Sequence, residues 1–139
     1  MSFRNIAEIA GSAMAAQTVR LNTVASNLAN ADTASSSEAA AYRARKPVFA
    51  AVMRSEGGEQ VAGAAVRVLD VVESTEPLRK VYEPDNPLAN EEGIVFYSNV
   101  NSVAEMTDMM AASRAFETNV EVMSRVKSMQ QALLRLGEE

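Results

Sequence analysis

An α+β fold is predicted, with two long terminal helices paired antiparallel in coiled-coil fashion and a small central β module. Three observations predict it. From Ser102 to Leu136 there is neither proline nor glycine, and apolar residues recur at helical spacing. Residues 3–29 carry a second helical pattern, rich in alanine. Between the two, short β-branched runs alternate with turn residues.

Composition sets the outer limits. The chain has 139 residues, which suits one modest domain of about 100 to 150 residues. Apolar residues make up 47% of it, enough to fold, and the net charge is −5 with no basic run. Binding to nucleic acid through phosphate neutralisation is therefore not expected. Cysteine and histidine are both absent, which removes disulfides, thiolate chemistry and the commonest ligands of zinc and redox metals. Arg4 followed by small apolar residues, with Ala13-Met14-Ala15, imitates a secretion signal, but Glu8 interrupts the apolar core. No stretch approaches the roughly 20 apolar residues of a membrane span. A soluble, uncleaved chain without direct membrane insertion is expected.

The first element runs over residues 3–29. Phe3, Ile6, Ala10, Met14, Leu21, Val24 and Leu28 recur at spacings of three, four or seven, interrupted by Gln17, and Gly11 weakens the helix locally. Between Ile9 and Ala31 only Arg20 is charged. A lone surface helix usually carries a charged face. Either this helix lies on the chain's own sheet or it is buried in a layer of several helices, and the second accounts better for the missing charges. Asn30, Asp32 and Thr33 can end it, and residues 30–46 then read as a connector of small residues with Arg43, Arg45 and Lys46 at its end.

The β module is expected over residues 47–97. Val48–Met53 is one candidate strand, Gly57-Gly58 a turn, and Val66, Val68, Val71 and Val72 mark a second strand. Leu78–Tyr82 is a third candidate and Ile94–Tyr97 a fourth, with Pro84-Asp85-Asn86-Pro87 as a rigid loop between them. So small a sheet is marginal alone and must lean on the helices.

The last helix has the clearest limits. Asn101 and Ser102 suit an N-cap, Ser102 and Glu105 have capping-box spacing, and Gly137 marks the stop. At 1.5 Å per residue the helix is about 50 Å long, against a radius of gyration of about 14 Å for a compact chain of this size. Met109, Ala112, Phe116, Asn119, Met123, Val126, Gln130 and Leu133 follow heptad spacing, and Val103, Met106, Met110 and Val120 lie on an adjacent face. Met129, Leu134 and Leu136 widen the arc, and Glu121 and Arg125 form an i,i+4 pair. Two adjacent stripes imply contact with more than one partner helix. Five of the eight methionines fall between Met106 and Met129, and methionine adapts to irregular holes.

No catalytic constellation is present. Glu91-Glu92 belongs to a solvated turn, and Asp70, Glu73 and Glu76 lack the loop spacing of a calcium site. Serine without histidine lacks its usual general base, and no Ser-x-x-Lys or Gly-x-Ser-x-Gly pattern occurs. An enzyme, a cofactor and a small-molecule substrate are not expected.

Leu21-Asn22-Thr23-Val24-Ala25-Ser26-Asn27-Leu28-Ala29-Asn30-Ala31-Asp32-Thr33 resembles the N-terminal signature of bacterial flagellar axial rod and hook proteins. The stretch from Tyr82 to Ala89, Glu91-Glu92-Gly93-Ile94-Val95, Asn99-Val100-Asn101, Glu105-Met106 and Ala112-Ser113-Arg114-Ala115-Phe116 are similar to its proximal-rod members. So are Asn119-Val120-Glu121-Val122, Lys127-Ser128-Met129 and Leu136-Gly137. Ser98 stands where proline is frequent in the family, and residues 34–41 carry no family feature. The resemblance implies a structural subunit that polymerises through its terminal helices into a tubular drive shaft, transmitting torque and enclosing the export channel. It implies export without a cleaved signal peptide, a rod spanning the periplasm, and contacts with copies of itself, other proximal-rod proteins, the distal rod and the MS-ring adaptor.

The expected division is residues 1–31 as the N-terminal helix of an axial helical domain, 32–100 as connector and β module, and 101–139 as the C-terminal helix. The expected assembly interface comprises Phe3, Ile6, Met14, Leu21, Val24, Asn27, Leu28 and Asn30 on the first helix. On the second it comprises Met106, Met109, Met110, Phe116, Asn119, Val120, Met123, Val126, Met129 and Leu133. The competing expectation is a coiled-coil secretion chaperone or adaptor, a stable dimer that binds partners transiently.

Overall fold

The computed structural model describes residues 2–55 and 61–137. Its elements follow the order α1 (Phe3–Ala29), β1 (Ala34–Ser35), β2 (Arg45–Ser55), β3 (Val61–Glu73), β4 (Arg79–Tyr82), β5 (Ile94–Tyr97) and α2 (Ser102–Leu136). The expected α+β class stands, with one difference. The strands form two sheets: a three-stranded sheet in the order β1-β5-β4, and a two-stranded sheet of β2 and β3. The turn expected at Gly57-Gly58 lies outside the described residues.

Both helices have the expected limits, held by local chemistry. Ser2 Oγ accepts from the Asn5 amide at the start of α1. At its end Asn30 Nδ2 donates to the Ser26 carbonyl, and the Asn30 amide reaches Ser26 and Asn27. The start of α2 corrects one expectation. Asn101, not Ser102, is the cap: its Oδ1 accepts from the Ala104 amide, three residues on, and its carbonyl from the Glu105 amide. Ser102 is therefore the first helical residue, and a box between Ser102 and Glu105 is out of register. The Gly137 amide closes the far end on the carbonyls of Leu133 and Leu134.

Two compact units divide the chain, each discontinuous in sequence. One contains residues 1–19, 48–70 and 111–139. Its buried apolar side chains among the described residues are Ala10, Ala16, Ala112 and Val126, three of them alanines. In this unit α1 approaches strand β3 at two points. Ser12 Oγ accepts from the Val66 amide at 3.1 Å. A Cβ built on Gly63 would stand 3.0 Å from Ile9 Cδ1, so glycine allows that close approach.

The other unit contains residues 20–47 and 71–110. Its core is more substantial: Val24, Ala31, Ala44, Leu78, Val95 and Phe96 are buried. Strand β5 is central, paired antiparallel with β1 (Ala34 with Tyr97, Ser35 with Phe96) and with β4 (Lys80 with Phe96, Val81 with Val95). Polar side chains fasten the connector. Buried Asn27 accepts at Oδ1 from the Arg45 amide and the Tyr42 hydroxyl, both at 2.9 Å, and donates from Nδ2 to the Arg45 carbonyl at 2.8 Å. Asn99 repeats the device, accepting from the Ala44 amide and donating to the Glu76 carbonyl. A side-chain amide thereby takes the place of a neighbouring strand for residues 44 and 45. This explains why β2 begins at Arg45, ahead of the apolar run at Val48.

Candidate assembly surface

The faces of α2 are sorted by what its own chain covers. On the heptad stripe Ala112 and Val126 are buried, and Met109, Phe116, Asn119 and Met123 are half-buried. This stripe is the internal side of the helix as far as Val126. The adjacent stripe is free: Val103, Met106, Met110 and Val120 are exposed, Met106 at 56% and Met110 at 59%. Past Val126 the distinction ends. Every residue from Lys127 to Gly137 is exposed, including Met129, Leu133 at 54%, Leu134 at 70% and Leu136 at 72%.

Helix α1 shows less apolar surface. Phe3, Ile6, Met14, Leu21, Leu28 and Asn30 are all half-buried. Three expected interface residues are corrected. Val24, Asn27 and Val126 are buried within their own units, so their side chains hold the subunit together and offer nothing to a neighbour. Sequence spacing identifies an apolar face but not which chain covers it. The remaining positions retain accessible area.

Two ion pairs mark the charged sides of these helices. Arg20 reaches across to α2, where its guanidinium donates twice to the Asp108 carboxylate; the Nε bond measures 3.2 Å. The hydrogen bond to Asp108 raises the Arg20 pKa further, against the opposing effect of partial burial. The one charge expected near the middle of α1 therefore serves to tie the helices within that unit. The expected Glu121–Arg125 pair forms at 2.8 Å and raises the Arg125 pKa, chiefly through its hydrogen bond. Neither pair carries charge into the apolar stripe.

Sequence reasoning missed further exposed apolar groups on the strands. Phe49 and Met53 share one parity of β2, and Leu69 is exposed on β3. Val48 on the other parity of β2 is exposed too, and Leu69 begins an exposed run that includes Val71 and Val72, so strand spacing did not show what is covered. Tyr82 and Leu88 are exposed beside the proline loop. That loop is held by the Glu83 carboxylate, which accepts from Asn86 Nδ2 at 2.7 Å and the Tyr97 hydroxyl at 3.1 Å. Glu91 and Glu92 stand exposed on a turn, as a solvated pair would. Among the described residues no group of three metal-ligating side chains converges, and no helix is long and apolar enough to cross a membrane. The geometry supports association through apolar helix surface.

Comparison with known proteins points the same way. Residues 8–34 match the family described as flagella basal body rod protein, and residues 91–136 match the flagellar basal body rod FlgEFG protein C-terminal family. Among curated proteins, the flagellar basal-body rod protein FlgC of Escherichia coli O157:H7 is 46% identical over 138 residues, covering 99% of this chain and all of the relative. The protein of that name from Salmonella typhimurium is 47% identical over the same span. That of Bacillus subtilis is 35% identical, covering 94% of this chain and 95% of the relative. The second matched segment contains all of α2, and the first contains α1 from Glu8 onward.

Proposed function

This chain belongs to the FlgC family of flagellar basal-body rod proteins and is a structural subunit of the rod; we propose that its terminal helices polymerise it into a tube. Nothing in the comparisons favours the chaperone or adaptor reading. In the proposed assembly α1 and α2 pair antiparallel, and their uncovered stripes make heterologous contacts with neighbouring subunits. Such contacts do not close on themselves and so generate helical tubes. The tube is the proximal part of the drive shaft in the periplasm; it encloses the export channel and passes torque outward. Its neighbours are further copies, other proximal-rod proteins, the distal rod and the MS-ring adaptor, and the chain arrives by export without a cleaved signal peptide.

The observation that supports this reading best is the uncovered end of α2. Three turns, residues 127–137, leave Met129, Leu133, Leu134 and Leu136 about half exposed or more. Covering those four together is worth on the order of 5 kcal/mol in all before ordering costs. Among the described residues, the unit to which they belong fully buries only three alanines and one valine of its apolar residues, which leaves apolar surface on α2 for a neighbour.

Substituting Leu133→Asp together with Leu136→Asp tests the reading, because both side chains are exposed and their loss leaves the subunit's own core intact. Cells that depend on this chain should then lose rods and flagella while the purified variant keeps its helical circular dichroism. Normal flagellation in that variant would refute the interface.

A further inference from the structure

The exposed stripe of α2 is rich in sulfur as well as apolar. The chain has eight methionines and no cysteine, so thioethers are its only sulfur groups open to two-electron oxidants. Met106 and Met110 stand one helical turn apart on the same face, both more than half exposed, while Met109 beside them is half-buried. Oxidation of methionine follows solvent access to sulfur. Helix geometry therefore presents two reactive thioethers together on one docking face and shields a third within the same turn.

We propose that Met106 and Met110 form an oxidant-sensitive modification site, and that their conversion to sulfoxides by a peroxide prevents the subunit from docking. The proposal rests on the assembly reading given above. In the reaction a sulfur lone pair attacks one oxygen of hydrogen peroxide, forming an S–O bond as the O–O bond breaks. Sulfur loses two electrons and the peroxide is reduced, leaving one sulfoxide and one water for each peroxide consumed. The protein supplies only access. Each sulfoxide then carries a strong acceptor where the stripe was apolar, and a neighbouring helix that covers it without a donor leaves that acceptor unsatisfied. Because docking covers the same sulfurs, sensitivity is confined to the interval before assembly. Sulfoxide reduction reverses the block.

Two measurements test this. The purified full chain is treated with dilute hydrogen peroxide and the oxygen added at each methionine is followed by peptide mass spectrometry. Met106 and Met110 should oxidise several-fold faster than Met109, the order of their exposure. In cells that depend on this chain, the pair Met106→Gln with Met110→Gln places sulfoxide-like polarity on the face and keeps a good helix former. Flagellated cells should fall about tenfold relative to Met106→Leu with Met110→Leu, the loss expected if a polar group there blocks docking. Far-UV circular dichroism checks that both purified pairs keep their helix content, and the single substitution Met110→Gln gives a second reading at the more exposed position. Oxidation of Met109 as fast as its neighbours, or flagellation of the glutamine pair equal to the leucine pair, overturns the proposal. Rods built by the Leu133→Asp, Leu136→Asp variant would instead refute the assembly reading. Loss of rods in that variant, with normal rods in the glutamine pair, overturns the oxidation site alone.

Discussion

Replacing Asn27 with alanine removes three hydrogen bonds from a side chain that is only 1% exposed. The partners fare differently. The Tyr42 hydroxyl keeps a second contact, Ser26 Oγ at 3.1 Å. The Arg45 amide and carbonyl lose the contacts that fix the start of β2. At about 1 kcal/mol for each bond, with a further penalty for whichever backbone group stays dry, Asn27→Ala should cost about 3 kcal/mol. Tyr42→Phe removes one donor while Asn27 Oδ1 keeps the Arg45 amide, so it should cost about 1 kcal/mol. Urea denaturation followed by circular dichroism measures both, and hydrogen exchange at the Arg45 amide locates the loss. A cost for Asn27→Ala no greater than that for Tyr42→Phe, or unchanged exchange at Arg45, would refute the view that this amide stands in for a strand.

The proline loop yields two more predictions. Gly93 has φ +74 and a Cβ there would meet Tyr82 Cε2 at 2.8 Å, so Gly93→Ala should destabilise the loop by about 1 to 3 kcal/mol. Faster exchange at the Glu83 amide, which donates to the Gly93 carbonyl at 2.8 Å, is the readout. Tyr97 donates its hydroxyl to Glu83, and that bond, with partial burial and the carboxylate's charge, raises the phenol above its ordinary pKa of 10.0. A raised phenol favours the protonated form, so its contribution to stability is complete below the ordinary value and is lost as pH climbs through the folded one. An ultraviolet titration of the wild type minus Tyr97→Phe should show one phenol ionising above pH 10; ionisation at or below it contradicts the hydrogen bond.

Local signals carried most of the helical architecture, and non-local ones carried what the sequence concealed. The ends of α1 and α2 were legible because caps and stops lie next to the residues they serve, although Asn101 and not Ser102 does the capping. Strand β1 was invisible: Ala34 and Ser35 have no strand character of their own and are fixed by Tyr97 and Phe96. Strand β3 begins at Val61, ahead of the valines that signalled it, across a stretch rich in alanine and glycine. Arg20 was conspicuous as a lone charge, but its partner lies 88 positions away. The surface was half legible for the same reason. Heptad spacing found the apolar arc of α2, but only the folded chain shows that Val126 and its predecessors face inward while Met106, Met110 and residues 127–137 do not.

The absence of cysteine makes one measurement especially direct. A single Leu133→Cys substitution puts a unique thiol on the uncovered end of α2, to be labelled with a maleimide in the purified chain and in isolated basal bodies. The account predicts ready labelling of the free subunit and strong protection in the rod, where a neighbouring chain covers that face. Equal labelling in the two states would contradict it.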